Sequence, residues 1–277
     1  CQTDREPDVY PASEPSPDDE GEVEEYRATT VDFGKGCEEK SGALAAHIST
    51  EEAGRDFDVV RALLGSKTFD WFGASYGTEL GATYATLFPK TVGRMVLDGA
   101  VNPTLTSEES AFGQTTGFQR ALDGYIDDCV EQADCPLGRD PDAAERTLVD
   151  FVTERDSQPM DTGEARKLTE GLTFYGVAVT LYDEQTWPVL TQALDAAVKG
   201  DGSVLLRLAD AYFRRADDGS YTENLGEANP AINCLDADEG STLEQVEATL
   251  PRCEKASPVF GRALAWGALS CTDWPIE

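Results

Sequence analysis

The chain has 277 residues, 40% of them hydrophobic, which suffices for one large domain or for a core with an inserted second unit. Its 53 acidic residues against 22 basic ones give a formal charge of −31, which repels phosphate backbones and argues against nucleic acid as a partner. No apolar run reaches the length of a membrane span.

Residues 1–20 are acidic and interrupted by Pro7, Pro11, Pro15 and Pro17, which predicts a surface loop because each proline fixes φ and removes a backbone donor. From Glu20, Val23, Tyr26, Thr30 and Phe33 recur at helical spacing, predicting an amphipathic helix that ends before Gly34. Ser49-x-x-Glu52 has the pattern of a capping box. Ala53, Phe57, Val60 and Leu64 then form one apolar stripe, expected to pack on a sheet, and Gly65 stops the helix.

Next comes a short apolar run, Thr68-Phe69-Asp70-Trp71-Phe72, then Gly73-Ala74-Ser75-Tyr76-Gly77, then a helical stretch from Thr78 to Leu87. A G-x-S-x-G match set between strand and helix is the context of a nucleophile elbow. Gly73 and Gly77 lack the β-carbons that would clash where strand meets helix, so Ser75 can occupy a strained turn with its hydroxyl exposed. Arg94 to Leu97 reads as a second buried strand ending in Asp98-Gly99, and a carboxylate at the C-terminal end of a parallel strand lies on the functional edge of a sheet.

The stretch from Gly73 to Pro103, GASYGTELGATYATLFPKTVGRMVLDGAVNP, resembles the α/β-hydrolase peptidases of actinobacteria, and within them the secreted tripeptidyl aminopeptidases, relatives of prolyl iminopeptidases. The resemblance rests on the Ser75-Tyr76-Gly77-Thr78 elbow, the Tyr84-Ala85-x-x-Phe88-Pro89 helix end and the Leu97-Asp98-Gly99 strand end, and extends more loosely over nearly the whole chain. It implies that Ser75 is the acylated nucleophile and the backbone N–H of Tyr76 an oxyanion-hole donor, with no cofactor. In this fold the triad follows the order nucleophile, acid, histidine, so His47, the single histidine, stands in the wrong place to be the base. Asp98 is the triad acid in some hydrolases, but the resemblance implies a loop hydrogen-bonding role for it.

Seven cysteines in loops and at helix ends, without paired C-x-x-C clusters, suit disulfides better than a metal site, and Cys129 and Cys135 are spaced to close a short local loop. The resemblance implies the pairs Cys1–Cys37, Cys129–Cys135 and Cys234–Cys271, leaving Cys253 over. Cys1 as the lipid-bearing first residue of a lipoprotein is the lesser reading, because the resembled family has a similar cysteine inside the hydrolase core.

From Thr104 the pattern turns helical. Thr106-x-x-Glu109 caps a helix with Phe118, Leu122, Tyr125 and Ile126 on one side, and Asp140-Pro141 opens another bearing Leu148, Phe151 and Val152. Leu172 to Tyr182, Gln185 to Val198, Ser203 to Phe213, a helix opened by Ser241-x-x-Glu244, and Val259 to Leu269 follow. A run of helices after a strand of an α/β core reads as a cap. The expected division is therefore residues 1–103 as part of an α/β-hydrolase core, 104–270 as an inserted all-helical cap, and 271–277 as a return to the core.

Phe174, Tyr175, Tyr182, Trp187, Tyr212, Phe213 and Trp266 are candidates to line the roof of the site or to pack its core. Peptidases of the resembled type hold a substrate's free amino group with cap carboxylates, for which Glu223, Glu227 and Asp236 are the candidates. Only one strand besides that of the elbow is legible, whereas a doubly wound sheet needs parallel neighbours on both sides. The family's early oxyanion loop, triad acid and histidine are thus expected outside this sequence, which reads as the middle of a longer protein with little activity of its own. The expected function is a secreted or envelope serine exopeptidase releasing short peptides from free N-termini. The alternatives are an esterase or lipase of the same fold and a non-catalytic peptide-binding envelope protein; the oligomeric state is left open.

Overall fold

The computed structural model describes residues 12–237 and 240–276. Residues 13–19 are irregular, as the prolines predict, and lead into helix α1 (Glu20–Ser41). Asp19 caps it by accepting from the Glu22 N–H, and acidic side chains in the first turn face the positive end of the helix dipole. The helix does not end before Gly34. A β-carbon there would lie 2.5 Å from Pro275 Cδ, so glycine serves a close approach of the chain's far end rather than a helix stop.

Helix α2 (Thr50–Leu63) follows the 3-10 stretch Gly42–His47. Ser49 caps it, accepting from the Glu52 N–H at 3.2 Å, but the expected box is half formed, because the Glu52 carboxylate pairs with Arg55 at 2.9 Å. Its expected stripe is also shifted. Phe57 meets Trp71 edge-on with centroids 5.0 Å apart, whereas Val60 and Leu64 are 44% and 74% exposed. The packed face instead carries Asp58, which Arg61 and the Tyr84 hydroxyl both reach.

Strands β1 (Phe69–Ala74) and β2 (Val92–Asp98) pair in parallel, joined by helix α3 (Tyr76–Leu87), as parallel neighbours require. The register sets Phe72 beside Val96, Gly73 beside Leu97 and Ala74 beside Asp98. One face packs an aromatic cluster in which Trp71 stacks on Tyr84 at 5.9 Å. The second strand is not buried as the sequence suggests: Val96 and Phe72 are 56% and 73% exposed, since among the described residues the sheet has only these strands and nothing covers that face.

Helix α4 (Ser107–Glu131) opens in the complete Thr106/Glu109 capping box, and α5 (Pro141–Ser157) follows an Asp140 cap with proline in its first turn. Then come α6 (Glu170–Ala178), 3-10 turns to Thr186, α7 (Trp187–Val198) and α8 (Ser203–Phe213). Helices α9 (Leu225–Asp236), α10 (Leu243–Ala256) and α11 (Gly261–Gly267) complete the order. Leu122, Tyr125, Leu148, Leu172, Leu194 and Phe260 are fully buried in one core shared by α4 to α8 and the start of α11. Helices α6 and α8 cross so closely that a β-carbon on Gly176 would stand 2.6 Å from the Leu205 carbonyl oxygen. The box of α10 is Thr242 with Gln245, one residue beyond the predicted Ser241 and Glu244.

Disulfides join Cys129 to Cys135 and Cys234 to Cys271, and Cys253 is buried and free. The expected pair Cys1–Cys37 lies outside the described residues. Among the described residues no helix is long and apolar enough to cross a membrane.

Candidate active site

Ser75 follows β1 directly and stands at φ 52, ψ −123, a backbone conformation that costs a non-glycine residue about 1–3 kcal/mol. Three contacts hold it there. Its N–H donates to the Asp98 carbonyl at 3.0 Å, and its own carbonyl accepts from the Thr78 N–H at 2.9 Å and from Thr78 Oγ1 at 2.7 Å. Thr78 Oγ1 in turn accepts from the Val101 N–H at 2.9 Å, so the turn is tied to the loop beyond β2. The Ser75 side chain makes no capping bond although it precedes α3, and the residue is exposed, which leaves the hydroxyl for a ligand. The Tyr76 N–H is one of the first donors of α3, which lack partners within the helix.

The glycines divide differently from the sequence expectation. A β-carbon on Gly73 would lie 2.1 Å from the Gly77 carbonyl oxygen, so that glycine is required where strand passes helix. Gly77 is not, because a β-carbon there meets nothing within 4 Å. The second required glycine is Gly81, whose β-carbon would lie 2.6 Å from Trp71 Nε1; that indole donates to the Gly77 carbonyl at 3.0 Å and fixes the first turn of α3.

Beside the turn runs a chain of hydrogen bonds that sequence reasoning did not assemble. The Tyr76 hydroxyl lies 2.6 Å from Thr50 Oγ1, which donates to Asp236 Oδ2 at 2.5 Å, while the Thr50 N–H donates to Asp236 Oδ1 at 2.7 Å. With the single Thr50 proton on the carboxylate, Tyr76 is the donor to Thr50. Burial pushes the Tyr76 hydroxyl above its ordinary pKa, the Thr50 bond opposes this, and the charges of Asp236 and Glu79 add to it. Burial also pushes the Glu79 carboxyl up, and Asp236 adds to that shift.

Glu79, Asn102 and Asp236 line a cleft of about 580 Å³ together with Phe118, Phe174, Tyr175, Tyr182 and Tyr212. Of the three carboxylates expected to hold an amine, the structure brings Asp236 here. Glu223 is exposed and faces Arg214 at 3.7 Å, and Glu227 is half-buried outside the lining. Trp187 packs on Tyr125, and Phe213 and Trp266 are buried, so these are core rather than roof. His47 is exposed at the end of its 3-10 stretch, and Asp98 acts on Ser75 through its backbone carbonyl. Asp18, Asp19 and Glu22 bring their carboxylates within 4.8 Å of one another, but Asp19 and Glu22 accept backbone N–H groups at the start of α1.

A strand, a strained serine and a helix in this order form a nucleophile elbow, and the family model of the alpha/beta hydrolase fold matches residues 12–195. The chain belongs to that family. Among similar proteins of the α/β-hydrolase family, the serine protease Hip1 of Mycobacterium tuberculosis is 36% identical over 258 residues, covering 89% of this chain and 49% of that protein. Carboxylesterase B of the same organism is 33% identical over 285 residues, 100% of this chain and 54% of its own length. The tripeptidyl aminopeptidase of Streptomyces lividans is 28% identical over 270 residues, 96% and 50% respectively. The chain thus spans about half the length of the curated relatives it matches.

Proposed function

We propose that this chain is the nucleophile-bearing part of a serine hydrolase that releases short peptides, tripeptides foremost, from free N-termini through an acyl-enzyme on Ser75. The observation that carries the reading is the Ser75 backbone, held at φ 52 with its hydroxyl uncommitted at the end of a parallel strand. In the proposed reaction Ser75 Oγ attacks the scissile carbonyl, and the Tyr76 N–H donates to the developing oxyanion. A histidine takes the serine proton and passes it to the leaving amine, after which water releases the acyl group. On this reading that histidine and its acid lie outside these residues, since His47 is exposed and remote in chain order.

The helices from residue 104 to 270 act as the cap that limits how much peptide enters, and residues 271–277 lead back to the core. Support comes from the aromatic side chains they bring to the cleft that Glu79 also lines. The disulfides suit an oxidising compartment, so we place the protein outside the cytosol.

A second reading, an esterase of the same fold, is favoured by the carboxylesterase relative that matches the whole chain. The intact protein separates the two when offered free-amine tripeptide anilides and short-chain esters. We expect anilide cleavage that N-acetylation suppresses and that Ser75→Ala lowers by a factor on the order of 10⁵. Ester cleavage without anilide cleavage establishes the esterase; neither activity leaves a binding protein that kept the fold.

A further inference from the structure

Two carboxylates line the cleft that Glu79 of α3 shares with Val101, which is bonded to Thr78, and they are not equivalent. Asp236 accepts from Thr50 through both oxygens and is committed to bracing α2 and the Tyr76 ring. Glu79 has no hydrogen-bond or ion-pair partner among the described residues, although it is half-buried and lies in the field of Asp236. Among the described residues no lysine, arginine or histidine lines the cleft, so none of them neutralises either charge from within.

Resting on the serine-hydrolase reading, we infer that Glu79 is the specificity residue of this site and takes the cationic side chain of a lysine or arginine immediately before the scissile bond. Distance selects this source of positive charge over a substrate's terminal amine. Glu79 lies four residues beyond Ser75, at the end of the first turn of α3, which at about 1.5 Å per residue sets its backbone about 6 Å further along the helix. Lysine's four-carbon stem spans about that length, whereas the terminal amine of an extended tripeptidyl group stands about 10 Å from its last carbonyl.

A cation seated here relieves two unfavourable terms together: the lost hydration of Glu79 and its repulsion by Asp236. Tyr182 and Tyr212 in the same cleft offer ring faces that also favour a cation.

The test uses the intact protein and tripeptide 4-nitroanilides that differ only in the residue before the anilide: lysine, norleucine or glutamate, each with a free or an acetylated N-terminus. We expect kcat/KM for lysine to exceed that for norleucine by at least about tenfold in both series. Glu79→Gln should bring the lysine-to-norleucine ratio near one, and Glu79→Lys should put glutamate above lysine, with thermal melts confirming that both variants fold. A lysine preference that is absent, that survives Glu79→Gln, or that disappears on acetylation overturns the inference; equal cleavage of lysine and norleucine substrates that acetylation and Glu79→Gln both lower assigns the carboxylate to the terminal amine instead. Norleucine cleavage by the unmodified protein, lost in Ser75→Ala, upholds the hydrolase reading independently. If no anilide is cleaved, that reading fails and takes the inference with it.

Discussion

Gly73 and Gly77 flank Ser75 symmetrically in the sequence, yet only Gly73 has the Gly77 carbonyl 2.1 Å from where a β-carbon would be. Gly73→Ala must therefore push strand from helix and should lower stability by about 3 kcal/mol or more. Gly77 sits inside α3 with open space beside it, so Gly77→Ala should be neutral or stabilise by up to about 1 kcal/mol through helix propensity. Chemical denaturation of the two variants decides the matter, and equal losses would mean that the turn is not built as described. The motif and the exposed serine were legible because they depend on local chain geometry. Gly81 was not, since the group that forbids a side chain there is an indole ten residues earlier, brought close only when the elbow closes. Thr50, Glu79 and Asp236 were illegible as a group for the same reason: three different helices carry them.

At the scale of elements, helices that open on a side-chain cap were read correctly, as α4 and α5 show. Helix α9 was missed, because Pro230 lies inside it and no side chain caps its start. The loss matters, because α9 delivers both Asp236 and Cys234. The N-terminal segment is likewise more than a loop. Ser16 donates to Glu170 on α6 at 2.8 Å, and Arg262 on α11 reaches the Ser16 carbonyl at 3.0 Å. Glu170 is buried at 8% exposure, and burial, followed by the neighbouring Glu14 carboxyl, pushes its pKa up to about 9, with Asp156 adding to the effect. An unfolded glutamate titrates near 4.3, so between about pH 4.3 and that raised value the native state holds a proton the unfolded chain lacks. The stability that this protonated carboxyl contributes is complete below about pH 4.3 and is lost as pH rises towards 9. Glu170→Gln should consequently raise the melting temperature at about pH 8 more than at about pH 5. Thermal melts at both pH values test this, and an equal effect at the two would show that Glu170 is ionised in the fold.

For the whole molecule, covalent links and surface charge set the conditions of stability. The Cys234–Cys271 bridge closes 37 residues and Cys129–Cys135 closes 6, so chain entropy predicts about 4 and about 2 kcal/mol of stabilisation respectively. Serine replacement of each pair, followed by urea titration, should rank them in that order, and the reverse order would refute a loop-entropy origin. The longer bridge also fixes the stretch that carries Asp236, which couples the fold's oxidation to the placement of the Tyr76 ring. Charge and helix content were legible from composition, but the uncovered side of the sheet was not, because alternating side chains alone do not say which face finds a neighbour. Phe72 and Val96 on the strands, and Leu63 and Leu64 at the end of α2, each meet water over more than half of their surface. Water held against such a surface gains when it is released, so on the reading that the rest of the core lies outside these residues this flank is where it would press. Copies of the isolated polypeptide would meet there instead, opposed by the mutual repulsion of 31 negative charges on each. Added salt weakens that repulsion and leaves the attraction intact, so dissolved chains would cluster more readily in brine than in dilute buffer.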